Sequence, residues 1–577
     1  MTRRTHFLLK WLLFVSVITV CQQTSSAAAP APAWAQNGMI VSAHSAASQA
    51  GLEMLKNGGN AADAAAATAF ALGVVEGYSS GLGGGSFILY HDAAEGKTYV
   101  IDGRERAPYK AAADMYVDKK TGAIIPGLST TGILAGGTPG HLKALNLLLN
   151  NHGTLPLSDV LAPAIALADT GFEITQTYVR VLEFYYHKLL LFPSTFDILF
   201  HPDSTLLNLG EKLLQKDLAN TYRLIAEQGE DAFYTGEIAD KIVAAMKAEK
   251  GLITHKDLQE YRAASREPVV GSYKDCEIHS MPPPSSGGAH LIEILNILER
   301  YDLGYMGLNS SETIHHLAEA MKRAFADRSF YMGDPDFVDV PVDGLISKMY
   351  ADSLAWYISR YQATPVQSEG NPYSYMPSDE TFPGGKQTTH FSVIDKWGNM
   401  AAVTATINTG FGSGYVIPGT GIFLNNEMDD FSSQPGVPNY FGLVGAEANA
   451  IAPGKRPLSS MTPTLLFRDG QPFMVVGSPG GPRIITTVLQ VILNVIDHGL
   501  DIQEAVDAPR IHHQWLPDRI YIEEGIPADV IQNLVIKGHD VYVGGYWSAA
   551  QAILIDLDTG LIYGGADSRI EGSAAGY

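Results

Sequence analysis

At 577 residues, with 46% hydrophobic and 17% charged side chains, the chain carries enough apolar material for a large core and lacks the bias of long disordered spans. Acidic residues outnumber basic ones, 61 against 39, and the formal net charge of -22 makes a nucleic-acid partner a poor expectation. That surplus is read instead as a solubility feature.

Residues 1–29 begin with Arg3, Arg4 and Lys10, continue through an apolar run over 11–20, and end in small residues. This is the pattern of a secretory signal peptide, too short in its apolar part to span a bilayer comfortably, and it predicts a periplasmic or extracellular protein. Val20 stands where lipidation at Cys21 would need a small residue. With the leader gone Cys276 is the one cysteine left, so no intrachain disulfide can form, and it is read as a small buried apolar residue.

The alanine-rich stretch 46–76, broken at Asn57-Gly58-Gly59-Asn60, predicts two helices joined by a glycine turn. Residues 86–105 alternate into a hairpin that places Arg104 at a strand end. From about 140 to 360 the pattern is mostly helical, as in 312–330, with proline clusters such as 281–288 as punctuation. The pairs His315-His316 and His512-His513 do not read as metal sites, since neighbours in sequence seldom converge on one ion; neither metal nor cofactor is expected. Residues 365–386, rich in Pro, Ser and Gly, read as an exposed, mobile linker leading into Gln387-Thr388.

Residues 391–394 and 400–407 predict two antiparallel strands joined by a turn centred on Trp397. That centre pairs Thr388 with Thr406 and His390 with Thr404. One face then carries Thr388, His390, Ser392, Thr404, Thr406 and Asn408, the other Phe391, Val393, Val403 and Ile407. Taken alone, the hydroxyl-rich face reads as solvated. Joined to the linker, it suggests more: a cut between Gln387 and Thr388 would free an α-amino group, with a pKa near about 8, to serve as base for the Thr388 hydroxyl.

QTTHFSVID, LNNEMDDF (424–431), KRPLSSMTPT (455–464) and GSPGGPRIITT (477–487) stand in one order along the chain. With these motifs the sequence resembles the γ-glutamyltranspeptidases, or glutathione hydrolases, of the N-terminal-nucleophile hydrolase superfamily. The residues alone support a mixed α/β chain with antiparallel hairpins. The resemblance implies an α/β (α+β) four-layer αββα sandwich built from two subunits cut from one precursor, a large one over 30–387 and a small one over 388–577.

It also implies roles for particular residues. Thr388 becomes the nucleophile that cuts its own chain after Gln387, with Thr406 as its hydrogen-bond partner. Arg104, Ser459 and Ser460 match the residues that hold the α-carboxylate of a γ-glutamyl group; Asn408, Glu427 and Asp430 match those that hold its α-ammonium. Without the resemblance Glu427 and Asp430 would pass for a solvated turn. Gly480 and Gly481 match the oxyanion hole, in keeping with a helix predicted to start at Pro482. Residues 435–457 resemble an active-site lid, with Phe441 where relatives commonly carry a gating tyrosine and Tyr440 beside it.

The implied reaction is ping-pong transfer of a γ-glutamyl group, from glutathione or similar compounds, to water or an acceptor amino acid or dipeptide. A glutaryl-cephalosporin acylase or a poly-γ-glutamate-acting relative is the nearest alternative, and an unprocessed secreted binding protein is the alternative of another class. Carboxylates suited to an α-ammonium favour the γ-glutamyl reading.

Overall fold

The computed structural model describes residues 30–375 and 389–577. The leader, the cleavage site and Thr388 itself therefore lie outside the described residues.

Two seven-stranded antiparallel sheets form the centre. Sheet I runs, in spatial order, Ser573–Gly576, Met39–Ser42, Thr389–Ile394, Met400–Thr406, Gly85–Asp92, Lys97–Gly103 and Ala264–Arg266. Sheet II runs Ala33–Ala35, Ile562–Ala566, Gln551–Ile555, Gln471–Gly477, Thr464–Arg468, Cys276–Ser280 and Val269–Tyr273. Each sheet combines strands from both sides of residue 388. The side chains that alternate along sheet I go to different cores: Phe391, Val393 and Val403 pack with the helices Ser45–Lys56 and Ala61–Val75, while Met400 and Ala402 share a cluster with sheet II. The helices Gly287–Leu298 and Arg483–Ile496 cover the far side of sheet II, with Ser311–Tyr331 packed on the first of them, giving the order αββα. Among the described residues no helix is long and apolar enough to cross a membrane.

The helix Ala61–Val75 is buried along its whole length. Alanine suits it because its neighbours come close: a Cβ on Gly51 of the preceding helix would lie 2.3 Å from Thr68 Oγ1. Asn60 and Asp63 cap its start reciprocally, and Asp395 Oδ2 accepts from Ala61 N at 2.9 Å, so the helix N-terminus also anchors the turn 395–399. The same carboxylate holds that turn by accepting from Trp397 N and Asn399 N.

The predicted helix pair, the hairpin before Arg104 and the helix over 312–330 are all present, the last as Ser311–Tyr331. Three strands between Ala264 and Ser280 fall where the pattern read as helical. They are only three to five residues long, which leaves little local periodicity to read; Val269–Tyr273 and Cys276–Ser280 form a hairpin, while Ala264–Arg266 pairs with the distant strand Lys97–Gly103. The linker is also less free than expected where it is described: Gly370 donates to Asp327 Oδ1 and accepts from the Tyr331 hydroxyl, and Pro372 is buried.

Candidate active site

The hairpin has the register the sequence predicts, with His390 opposite Thr404 and Ile394 opposite Met400. Its polar face is not solvated. It lies between the two sheets, where His390 contacts Thr404 Oγ1 at 2.9 Å and Ser392 donates to Gln551 O at 3.0 Å. A Cβ on Gly477 of sheet II would sit 2.3 Å from the His390 ring. Burial pulls the His390 pKa down to about 3, so this imidazole is neutral and held as structure. At the strand's first described residue, Thr389 donates its hydroxyl to Glu76 Oε2 at 3.0 Å, and Tyr78 donates to Oε1 at 2.7 Å. Burial outweighs those two bonds and raises the Glu76 carboxyl to about 7.

Thr406 ends the partner strand, and its Oγ1 accepts from Asn408 N at 2.7 Å. That bond turns the chain so that Asn408 adopts a φ of 74°. Asn408 Nδ2 donates to Asn426 O, which leaves Oδ1 buried without a donor among the described residues. Lys188, from the helix Gln176–Leu189, braces the turn beyond by donating to Gly410 O and Gly412 O, each at 2.7 Å.

Arg104 leaves the strand Lys97–Gly103 and enters a fully buried ion cluster. Its guanidinium contacts Glu427 through Nη1 and Asp430 at 2.7 Å through Nη2, with Glu105 3.8 Å away. Burial opposes its charge, but Glu427, Asp430 and Glu105 more than offset that and raise its pKa. Burial drives Glu427 well above the usual carboxylate range; repulsion from Glu105 and Asp430 adds to it, and Arg104 opposes it. Glu427 Oε2 has no hydrogen-bond donor among the described residues. The groups predicted to hold opposite ends of a substrate are thus in contact with one another.

Ser459 and Ser460 are buried beside this cluster, next to Leu458, whose carbonyl accepts from Arg104 Nη2 at 3.3 Å. Gly480 and Gly481 follow sheet II with φ of 130° and 63°, and the helix Arg483–Ile496 begins directly after Pro482. Glycine is required there, since a Cβ on Gly480 would lie 2.8 Å from Ser548 Oγ. Among the described residues neither glycine amide makes a backbone hydrogen bond as donor, so both remain available to an oxyanion.

In the segment 435–457, Phe441 packs against the core cluster shared with sheet II. Tyr440 is half exposed, and its side chain meets the Tyr185 hydroxyl. Tyr440 is therefore the residue of the pair that presents a hydroxyl. Cys276 is buried, and burial pushes its thiol up to about 11, as expected of an inert residue. His315 contacts His539 while His316 contacts Glu312 O, and His512 contacts Thr486 while His513 contacts Asp518, so the adjacent histidines point to separate partners.

The sequence reading passed over Glu105, Ser286, Arg328, Glu76 and Lys188. Glu105 stood in view beside Arg104, and Ser286 and Arg328 lay in segments read only as a proline break and a helix.

The model of the gamma-glutamyltranspeptidase family matches residues 47–577, and the chain belongs to that family. It is 46% identical to the glutathione hydrolase proenzyme of Escherichia coli K12, over 95% of this chain and 93% of that one. It is 40% identical to the acylase ACY 1 proenzyme of Pseudomonas sp. strain SE83, over 88% of each. Among solved structures it is similar to the cephalosporin acylase of Bacillus halodurans, with a TM-score of 0.86 and 32% identity over 96% of this chain and 98% of that one.

Proposed function

We propose that the protein is a secreted γ-glutamyltransferase and glutathione hydrolase, made as one precursor that cuts itself between Gln387 and Thr388. The observation that carries this reading is the buried cluster of Arg104, Glu427 and Asp430 with two unfilled acceptors, Asn408 Oδ1 and Glu427 Oε2. A buried acceptor without a donor costs stability unless a ligand fills it, and an α-ammonium supplies the missing protons. Arg104, Ser459 and Ser460 then face the α-carboxylate.

The freed amino group of Thr388 takes the proton from its own hydroxyl as that oxygen attacks the γ-amide carbonyl. The Gly480 and Gly481 amides hold the oxyanion, and collapse of the tetrahedral adduct expels the amine with the proton. Water or an acceptor amine attacks the resulting γ-glutamyl ester by the same route in reverse. Both sheets draw strands from the two sides of the cut, so the large subunit, 30–387, and the small one, 388–577, stay together as a heterodimer. The N-terminal leader directs the product to the periplasm or the exterior.

The likeness to acylases motivates a second reading, a glutaryl-cephalosporin acylase, whose donor lacks the α-ammonium. Release of p-nitroaniline from L-γ-glutamyl and glutaryl anilides separates the two. The γ-glutamyl donor is expected to be preferred by at least ~100-fold, the scale lost when buried polar groups go unpaired. A preference for the glutaryl donor overturns the reading.

A further inference from the structure

Charge around Arg104 raises a difficulty for the proposed function, on which this inference rests. One guanidinium faces Glu427, Asp430 and Glu105. A donor's α-carboxylate brings a negative group into the same buried space, where charge is poorly screened and the one guanidinium already contacts Glu427 and Asp430.

A second guanidinium lies close by. Arg328, on the helix Ser311–Tyr331, is buried and donates from Nε to Ser286 Oγ at 3.0 Å. Among the described residues no carboxylate oxygen comes within ion-pair distance of it; Asp430 acts on it only from further away. Burial lowers its pKa to about 10, so it stays charged at neutral pH. A buried cation without an ion-pair partner among the described residues is costly, and one retained in this place points to an anion that arrives later. Arg328 also lines a small cavity, about 10 Å³, together with Asp430, Asn439 and Leu458.

Proton accounting connects it to the serines. Ser286 gives its one hydroxyl proton to Ser459 O at 2.8 Å and one lone pair to Arg328 Nε. Its contact with Ser460 Oγ is long, 3.4 Å. With that proton committed, Ser460 is the donor in this contact, to the second lone pair of Ser286 Oγ; a bond so long is readily exchanged for an incoming acceptor, and the Ser459 backbone is fixed.

We propose that Arg328 is a positioning residue for the donor's α-carboxylate: it orders Ser459 and Ser460 through Ser286 and adds positive charge behind Arg104, whose own charge is shared with Glu427 and Asp430. Its effect falls on recognition of the carboxylate rather than on the chemistry at Thr388.

The test compares L-γ-glutamyl-p-nitroanilide with the same donor carrying an α-carboxamide, using wild type, Arg328→Gln and Arg328→Lys. Arg328→Gln is expected to raise KM for the carboxylate donor by ~10-fold or more with kcat within ~3-fold, while kcat/KM for the amide donor stays within ~2-fold. Arg328→Lys keeps the charge but loses the fork, and is expected to raise KM for the carboxylate donor alone by ~3-fold. Equal losses on both donors, or an unchanged KM, overturn the proposal. Should Arg328→Gln fail to fold, Arg328→Lys decides: a selective rise supports the proposal, and no rise or a rise on both donors overturns it. A wild type that turns over neither donor overturns the γ-glutamyl reading itself and this proposal with it.

Discussion

The strands of the hairpin 389–406 and the ion cluster around Arg104 are both buried, yet the chain specifies them in different ways. The hairpin is local: its register follows from a five-residue turn and a two-residue alternation, with Asp395 holding the turn. The cluster is assembled from positions more than 300 residues apart and balances one cation against three carboxyls. Damage to the hairpin should therefore disturb geometry by degrees, whereas damage to the cluster should expose unbalanced charge.

Arg104→Ala is the sharpest way to break that contrast. It strands Glu105, Glu427 and Asp430 together in the interior, and removing one partner of a buried ion pair costs about 3–5 kcal/mol. Urea unfolding should show a loss of that order, and kcat/KM for a γ-glutamyl anilide should fall by ~1000-fold. An unchanged unfolding midpoint would show that the carboxyls are not held by Arg104.

Thr406→Val is the hairpin counterpart. It keeps the shape of the side chain but removes the acceptor for Asn408 N, a loss of about 1–3 kcal/mol where the amide is left buried. Activity is expected to drop by ~10- to 100-fold with a smaller stability loss than Arg104→Ala. A stability loss equal to that of Arg104→Ala would erase the distinction between the two regions.

Glu76 gives the smallest and most specific effect. Its carboxyl is raised from 4.5 to about 7 by burial, so between those values the folded protein keeps a proton that the unfolded chain has released. Its contribution to stability is complete below pH 4.5, falls as pH rises through the window, and is lost above about 7. Glu76→Gln removes this component. The wild-type urea midpoint should therefore decline relative to the variant between pH 5 and 7.5, and parallel midpoints would contradict the assignment.

The same contrast explains what could be read from the sequence. Strand pairing, the helix after Pro482 and the strand end at Arg104 rest on local patterns, and each is found in the fold. The burial of the hairpin's polar face was not legible, because the second sheet that covers it comes from residues on both sides of 388. Nor were the engagement of Arg104 by Glu427 and Asp430 and the place of Arg328 behind the serines, since no local period links a strand end, a helix and two loops. For the site, family motifs named the residues and the fold supplied their partners.

The most direct measurement is the intact mass and N-terminal sequence of the purified protein and of Thr388→Ala after incubation. The account predicts two chains in the wild type, the smaller beginning Thr-Thr-His-Phe, and a single uncut, inactive chain in the variant. A wild type that stays whole yet turns over γ-glutamyl donors, or a variant that is still cut before residue 388, would contradict Thr388 as both processing residue and nucleophile.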